Sequence, residues 1–167
     1  MMPTTPHPDL GRIGGEALRH VLSSLLSFRA TEETPVQNTA EAEDESLILA
    51  TVDLIGEHCS GAVRLQIPEA FARLALGVLV GAEDTDSLTR AQIDDLCGEL
   101  GNMVAGRVAA DLAGEGHSFT LGTPGVVRGA GWLLKEDRTT HHAPGATAWS
   151  CQKHRILIEV SCHFQPL

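Results

Sequence analysis

Three side chains in the middle of the chain have the types and spacing to do chemistry at a surface. They are Asp95, Glu99 and Asn102, within DDLCGELGNMVAG (residues 94–106). On an α-helix of about 3.6 residues per turn, positions i, i+4 and i+7 share one face, and Gly106 at i+11 joins them. A carboxylate there can pair with an approaching cation. A carboxamide donates and accepts hydrogen bonds and does not titrate. Ile93, Leu96, Leu100, Met103, Val104 and Val108 fall on the other side. The pattern therefore predicts a helix with its back on the core and Asp95, Glu99 and Asn102 in solvent. Small residues, Gly98, Gly106, Ala109 and Ala110, flank that face and would let another molecule come close. Glycine costs a helix interior about 1 kcal/mol relative to alanine, so its repeated use here calls for a reason. Access to the polar face is one; close packing of Gly98 and Gly101 on the core is another. By itself, an exposed Asp, Glu and Asn is a solvated helix face and selects no reaction.

Other constellations are weaker. His58-Cys59, Cys151 with His154, Cys162-His163 and His141-His142 invite a zinc reading, but none has the paired short spacings of zinc ribbons or fingers. Within a single strand, Cys151 and His154 would point to opposite faces. Cys97 falls on the core side of the helix and reads as a small buried residue, not a nucleophile. Gly129-Ala-Gly131 has no dinucleotide- or phosphate-loop context. Trp132 and Trp149 read as core or interface residues.

The composition limits the partners. The chain has 167 residues, 43% hydrophobic and 20% charged, which suits one globular domain with a real core. A net charge of −10 argues against nucleic acid and against an anionic membrane surface, both of which need clustered Lys and Arg. It leaves room for a protein partner with a local basic spot. The N-terminus MMPTTPHPDL has no charged stretch followed by an apolar run. The longest apolar run, around Leu74 to Val80, is far short of the roughly 20 residues of a membrane span. A cytoplasmic protein is expected, with its four cysteines (59, 97, 151 and 162) as free thiols.

The elements that must position the motif follow from periodicity and turn residues. Residues 1–9, with three prolines, read as a disordered leader, and residues 10–167 as a single domain. Gly14 to Phe28 reads as an amphipathic helix through Leu18, Val21, Leu22, Leu25 and Leu26. Residues 29–46 read as an acidic solvated connection with a short strand near Val36. LILATVDLI (47–55) and GAVRLQIP (61–68) read as a hairpin. Pro68 opens a helix that stops at Gly81. Ser87 or Thr89 caps the motif helix, which runs from about Arg90 to Ala113. Strand-like runs at 118–129, 146–152 and 155–164 complete the chain, with Ile156, Ile158, Val160, Cys162 and Phe164 on one face. Strands joined by hairpins and helices grouped together predict an α+β fold: a mostly antiparallel sheet with long helices packed on it.

DLCGELGNMVAG also resembles the signature of the CheC/CheX/FliY family of chemotaxis phosphatases: Asp or Ser, three residues, Glu, two residues, Asn, and a later Pro. Here it reads Asp95, Glu99, Asn102 and Pro124, one residue short of the usual spacing to the proline. The text before the motif, SGAVRLQIPEAFARLALGVLVG, and after it, LGTPGVVRGAG, is similar to CheX as well. The resemblance covers residues 46–164, and the motif occurs once, as in CheX. It implies a substrate, the aspartyl phosphate of a CheY-like receiver domain, whose hydrolysis needs positioning more than covalent chemistry. It implies that Asn102 orients the attacking water and that Glu99 pairs with the receiver's active-site lysine. Asp95, Gly98 and Gly106 would flank the docked partner. It also implies no cofactor of the chain's own, Mg²⁺ being supplied by the receiver, and a homodimer. The long apolar strand RILIEVSCHF, hazardous as an exposed edge, is compatible with such a dimer. The rival expectation is a non-catalytic interaction module of the same fold.

Overall fold

The computed structural model describes residues 8–33, 46–130 and 145–165. Helix α1 (Leu10–Leu26) is followed by strand β1 (Ala30–Glu33) and the hairpin β2 (Ser46–Ile55) and β3 (Cys59–Pro68). Helix α2 (Glu69–Val80), a 3-10 turn at Thr85–Ser87 and helix α3 (Arg90–Gly114) come next. Strands β4 (Thr120–Leu121), β5 (Gly125–Ala130), β6 (Ala146–Cys151) and β7 (His154–Phe164) complete the chain. Among the described residues, seven strands form one sheet in the order β1-β6-β7-β3-β2, with β4 and β5 both paired to the outer edge of β2. Every pairing is antiparallel, and the α+β class stands.

One face of the sheet carries the core. Ile48, Ala50, Val52 and Leu54 alternate along β2, Val63, Leu65 and Ile67 along β3, and Ile156, Ile158 and Val160 along β7, all buried beneath the helices. Each of these Val, Leu and Ile side chains contributes about 1.5–3 kcal/mol by leaving water. The opposite face is polar in its middle, where Arg64 Nε lies 3.4 Å from Glu159 Oε1 across the β3–β7 pair.

Three differences from the sequence expectation have physical causes. Helix α1 begins at Leu10, not Gly14, because Asp9 accepts the Arg12 backbone N–H at 3.0 Å and caps it. Gly14 and Gly15 belong inside it: a Cβ there would stand 2.7 Å from Val160 Cγ2 and 2.5 Å from Trp149 Cζ2, so the helix touches the sheet at its glycines. The acidic connection contains strand β1, which pairs with β6 and ties Glu33 to Arg155 at 3.0 Å. The strand expected near Val36, the loop at 131–144, Trp132 and His141-His142 lie outside the described residues, as do residues 1–7 of the leader. The run at 118–129 divides into β4 and β5, interrupted by Gly122–Pro124, because proline has no N–H to continue the ladder.

The last strands form a hairpin closed by Gln152 and Lys153, both at positive φ (51° and 67°), the backbone of a two-residue turn of the I′ kind. Cys151 and His154 therefore face each other across the turn and are not two positions of one strand. Over residues 157–159 strand β7 is paired with both β6 and β3, so that part of RILIEVSCHF is not an edge and gives no reason to dimerise.

Candidate functional site

Helix α3 is positioned first by its cap. The Thr89 hydroxyl accepts the Gln92 backbone N–H at 3.2 Å, and the Gln92 side-chain oxygen accepts the Thr89 N–H at 2.8 Å. This reciprocal capping box fixes where the helix starts and hence which way its faces point. The helix then lies across β2. A Cβ at Gly101 would be 3.1 Å from Ala50 Cβ, so the missing side chain sets how near helix and sheet come.

Asp95 and Glu99 are exposed, and Asn102 and Gly106 are half-buried, in the expected i, i+4, i+7, i+11 row. Among the described residues, none hydrogen-bonds or ion-pairs with the side chains of Asp95, Glu99 or Asn102. Two expectations for the surroundings of this face need correction. Gly98 is buried, with the place of its Cβ 3.6 Å from Val126 Cγ2 and 3.7 Å from Pro124 Cβ. It does not form an open flank; it lets the β4–β5 connection come against the helix. Met103, assigned to the core stripe, is 39% exposed. The buried arc is shifted away from it, toward Gly98, Gly101 and Ala105, because small residues meet β2 and the β4–β5 edge.

Next to this unpaired face lies a paired one that the sequence reading did not single out. Arg128 of β5 donates from Nε to Asp94 Oδ1 at 2.6 Å, from Nη1 to Glu69 Oε2 at 2.7 Å, and from Nη2 to the Arg90 carbonyl at 3.4 Å. Glu69 also accepts from Ser46 Oγ at 3.0 Å and from Arg73 Nη2 at 2.8 Å. Arg73 reaches on to the carbonyls of Thr85 and Leu88. Burial works against ionisation of Glu69. The hydrogen bonds from Arg73 and Ser46 and the charges of Arg128 and Arg73 outweigh it and hold the carboxyl below its ordinary value. Burial likewise opposes the Arg128 charge, and Asp94 and Glu69 more than compensate, raising its pKa. The signal in the sequence was an arginine on the same side of β5 as Val126, a charge on the inward face of a strand.

Burial, helped by the charge of Asp94, pushes the Cys97 thiol up to about 12, which keeps it protonated at neutral pH and unreactive. Among the described residues, no group of three or more His, Cys, Asp and Glu side chains could hold a metal ion. The motif face thus offers an exposed carboxylate and a carboxamide less than a turn apart on a rigid helix. Such a pair can hold a cation and orient a water for a molecule that docks there.

Comparison with known proteins follows the same line. No curated protein matches the chain. Solved structures share its fold. The chemotaxis protein CheX from Vibrio vulnificus superposes with a TM-score of 0.74 at 19% identity, covering 96% of this chain and 100% of that one. A chemotaxis protein CheX from Desulfovibrio desulfuricans gives 0.68 at 19% identity, over 93% and 100%. The CheX–CheY–BeF3–Mg²⁺ complex from Borrelia burgdorferi gives 0.66 at 14% identity, over 94% and 99%. The model of the family Chemotaxis phosphatase CheX matches residues 48–144, the stretch that holds β2, β3, α2, the motif helix and β5. The chain belongs to the CheX family of chemotaxis phosphatases.

Proposed function

We propose that this protein hydrolyses the aspartyl phosphate of a CheY-type receiver domain by holding the attacking water. An acyl phosphate already has a good leaving group, and the receiver brings Mg²⁺ and a lysine, so an in-line water is the missing component. Asn102 orients that water, and its amide keeps the same hydrogen-bonding form at every working pH. Glu99 pairs with the receiver's lysine and fixes the dock, with Asp95 and Gly106 beside it. The observation that carries this reading is that Glu99 and Asn102 share the outward face of α3 with no side-chain partner among the described residues. A family relative captured with CheY supports a receiver as partner.

The reading includes a cytoplasmic location, where such receivers work, and a homodimer. No helix among the described residues is long and apolar enough to cross a membrane. Sedimentation over a range of concentrations would measure the homodimer.

The test is the decay of a phosphorylated CheY-like receiver alone, with the protein, and with its Asn102→Ala variant. Acceleration by the wild type and none by the variant is the expected result. Binding without acceleration across several receivers would replace the phosphatase by a non-catalytic docking module. Glu99→Ala is expected to raise the half-saturating receiver concentration about tenfold, as loss of a docking ion pair does, with a smaller change in the maximal rate.

A further inference from the structure

Arg128 is an unusual choice for its place. Strand β5 alternates, with Val127 58% exposed and Val126 and Arg128 turned toward the helices, where the Arg128 side chain keeps only 12% exposure. A charge there loses hydration, and an apolar side chain of similar volume holds elements together as well or better. What the planar guanidinium adds is direction, since its donors form a fixed fork. The fork joins three elements: Glu69 at the first residue of α2, Asp94 and the Arg90 carbonyl in the first turns of α3, and β5 itself. The attachment point on α3 is the residue before Asp95. Two and four residues earlier in the chain, Val126 of β5 and Pro124 just before it rest against Gly98, the residue before Glu99. The Gly122–Pro124 connection, with Thr123 exposed, therefore stands beside the motif face, and Leu121 Cδ1 reaches to 3.8 Å from the place of a Cβ on Gly106.

We propose that Arg128 is a positioning residue, which locks the Gly122–Pro124 connection against α3 so that helix face and connection present one docking surface to the receiver. This rests on the phosphatase reading above. Asn102 and Glu99 ride on one helix, so their mutual geometry survives loss of the lock, whereas the relation of helix to connection does not. The lock is therefore expected to govern docking more than the chemical step.

The experiment compares wild type, Arg128→Met and Arg128→Lys in two assays. One is the rate of phosphate loss over a range of phosphorylated receiver concentrations. The other is amide hydrogen exchange in the protein without receiver. Arg128→Met is expected to raise the half-saturating concentration roughly fivefold or more with the maximal rate within about twofold, since changes to a docking surface act mostly on dissociation. Arg128→Lys, which keeps the charge without the fork, is expected to fall between. Exchange is expected to quicken at residues 90–100 and 122–130 and to stay unchanged in α1, β6 and β7. An unchanged half-saturating concentration, an equal fall confined to the maximal rate, or exchange that quickens everywhere or nowhere would overturn the proposal. Should Arg128→Met not fold, the Asp94→Asn/Arg128→Met pair, which leaves one carboxylate fewer unpaired, carries the same comparison. A wild type that accelerates no receiver would remove the phosphatase reading alone. The exchange pattern, with the affinity of the receiver for wild type and Arg128→Met, would then decide the positioning claim.

Discussion

Asp94 and Asp95 are neighbours with the same side chain and opposite fates. Asp94 points to the sheet side of α3 and accepts from Arg128 at 2.6 Å; Asp95, 100° further round the helix by its geometry, is exposed and unpaired among the described residues. The difference extends along the helix. On one side Glu69, Asp94, Arg73 and Arg128 satisfy one another and hold α2, α3 and β5 together. On the other, Glu99 and Asn102 have hydrogen-bonding capacity that no described residue takes up. A helix that must present unsatisfied groups needs its orientation fixed by other means, and the paired side does that. Polar groups with partners build the scaffold, and polar groups without them are left for a ligand.

The comparison can be broken at several points. The largest expected effect is Asn102→Ala, which removes the water-orienting amide. Acceleration of receiver dephosphorylation should fall about a hundredfold or more, as for loss of a positioned group. The unfolding free energy should change by less than about 0.5 kcal/mol, because no described residue bonds to that amide. Single-turnover decay and urea unfolding of the same samples check both halves.

Asp94→Ala should act on stability. It leaves Arg128 with Glu69 and a carbonyl, and should destabilise by about 2 kcal/mol, less than a fully buried pair because the Asp94 side chain is 34% exposed. Urea unfolding reads it directly.

Acid should weaken the paired side next. Glu69 has its carboxyl depressed below the ordinary 4.5, so its contribution to stability is complete above that value and is lost as the pH falls through the lowered one. The slope of stability against pH below about 4.5 should flatten in Glu69→Gln, in melts between neutral pH and the acid limit.

The smallest effect belongs to Asp95→Ala, expected within about 0.5 kcal/mol of wild type. A loss as large as that of Asp94→Ala would erase the contrast between the two neighbours.

Much of this arrangement was legible. The spacing of Asp95, Glu99 and Asn102 placed them together, and the apolar residues Leu96, Leu100 and Val104 turned them outward. The β2–β3 hairpin, α2 and the cap at Thr89 followed from alternation, Pro68, Gly81 and hydroxyl chemistry. Where the reading stopped, the deciding partner was distant in sequence. Strand β1 has four residues, too few for a pattern, and exists because β6 offers it an edge. The Gln152–Lys153 turn uses neither glycine nor asparagine, so its positive φ values are imposed by the strands it joins. Whether Gly98 served access or close packing could not be read from a helical wheel, which knows only its own helix, whereas Val126 arrives from β5 and Pro124 from the connection before it.

The sequence by itself determined which side chains share the motif face and that this face belongs on a core-packed helix, because helical period and apolar spacing are local properties. It also determined the fold class, through the grouping of hairpins and helices. Only the tertiary structure decided which polar residues of that helix are paired. Arg128 lies 34 residues from Asp94 and 59 from Glu69, and whether a carboxylate is neutralised or left free depends on what other segments bring within about 3 Å of it.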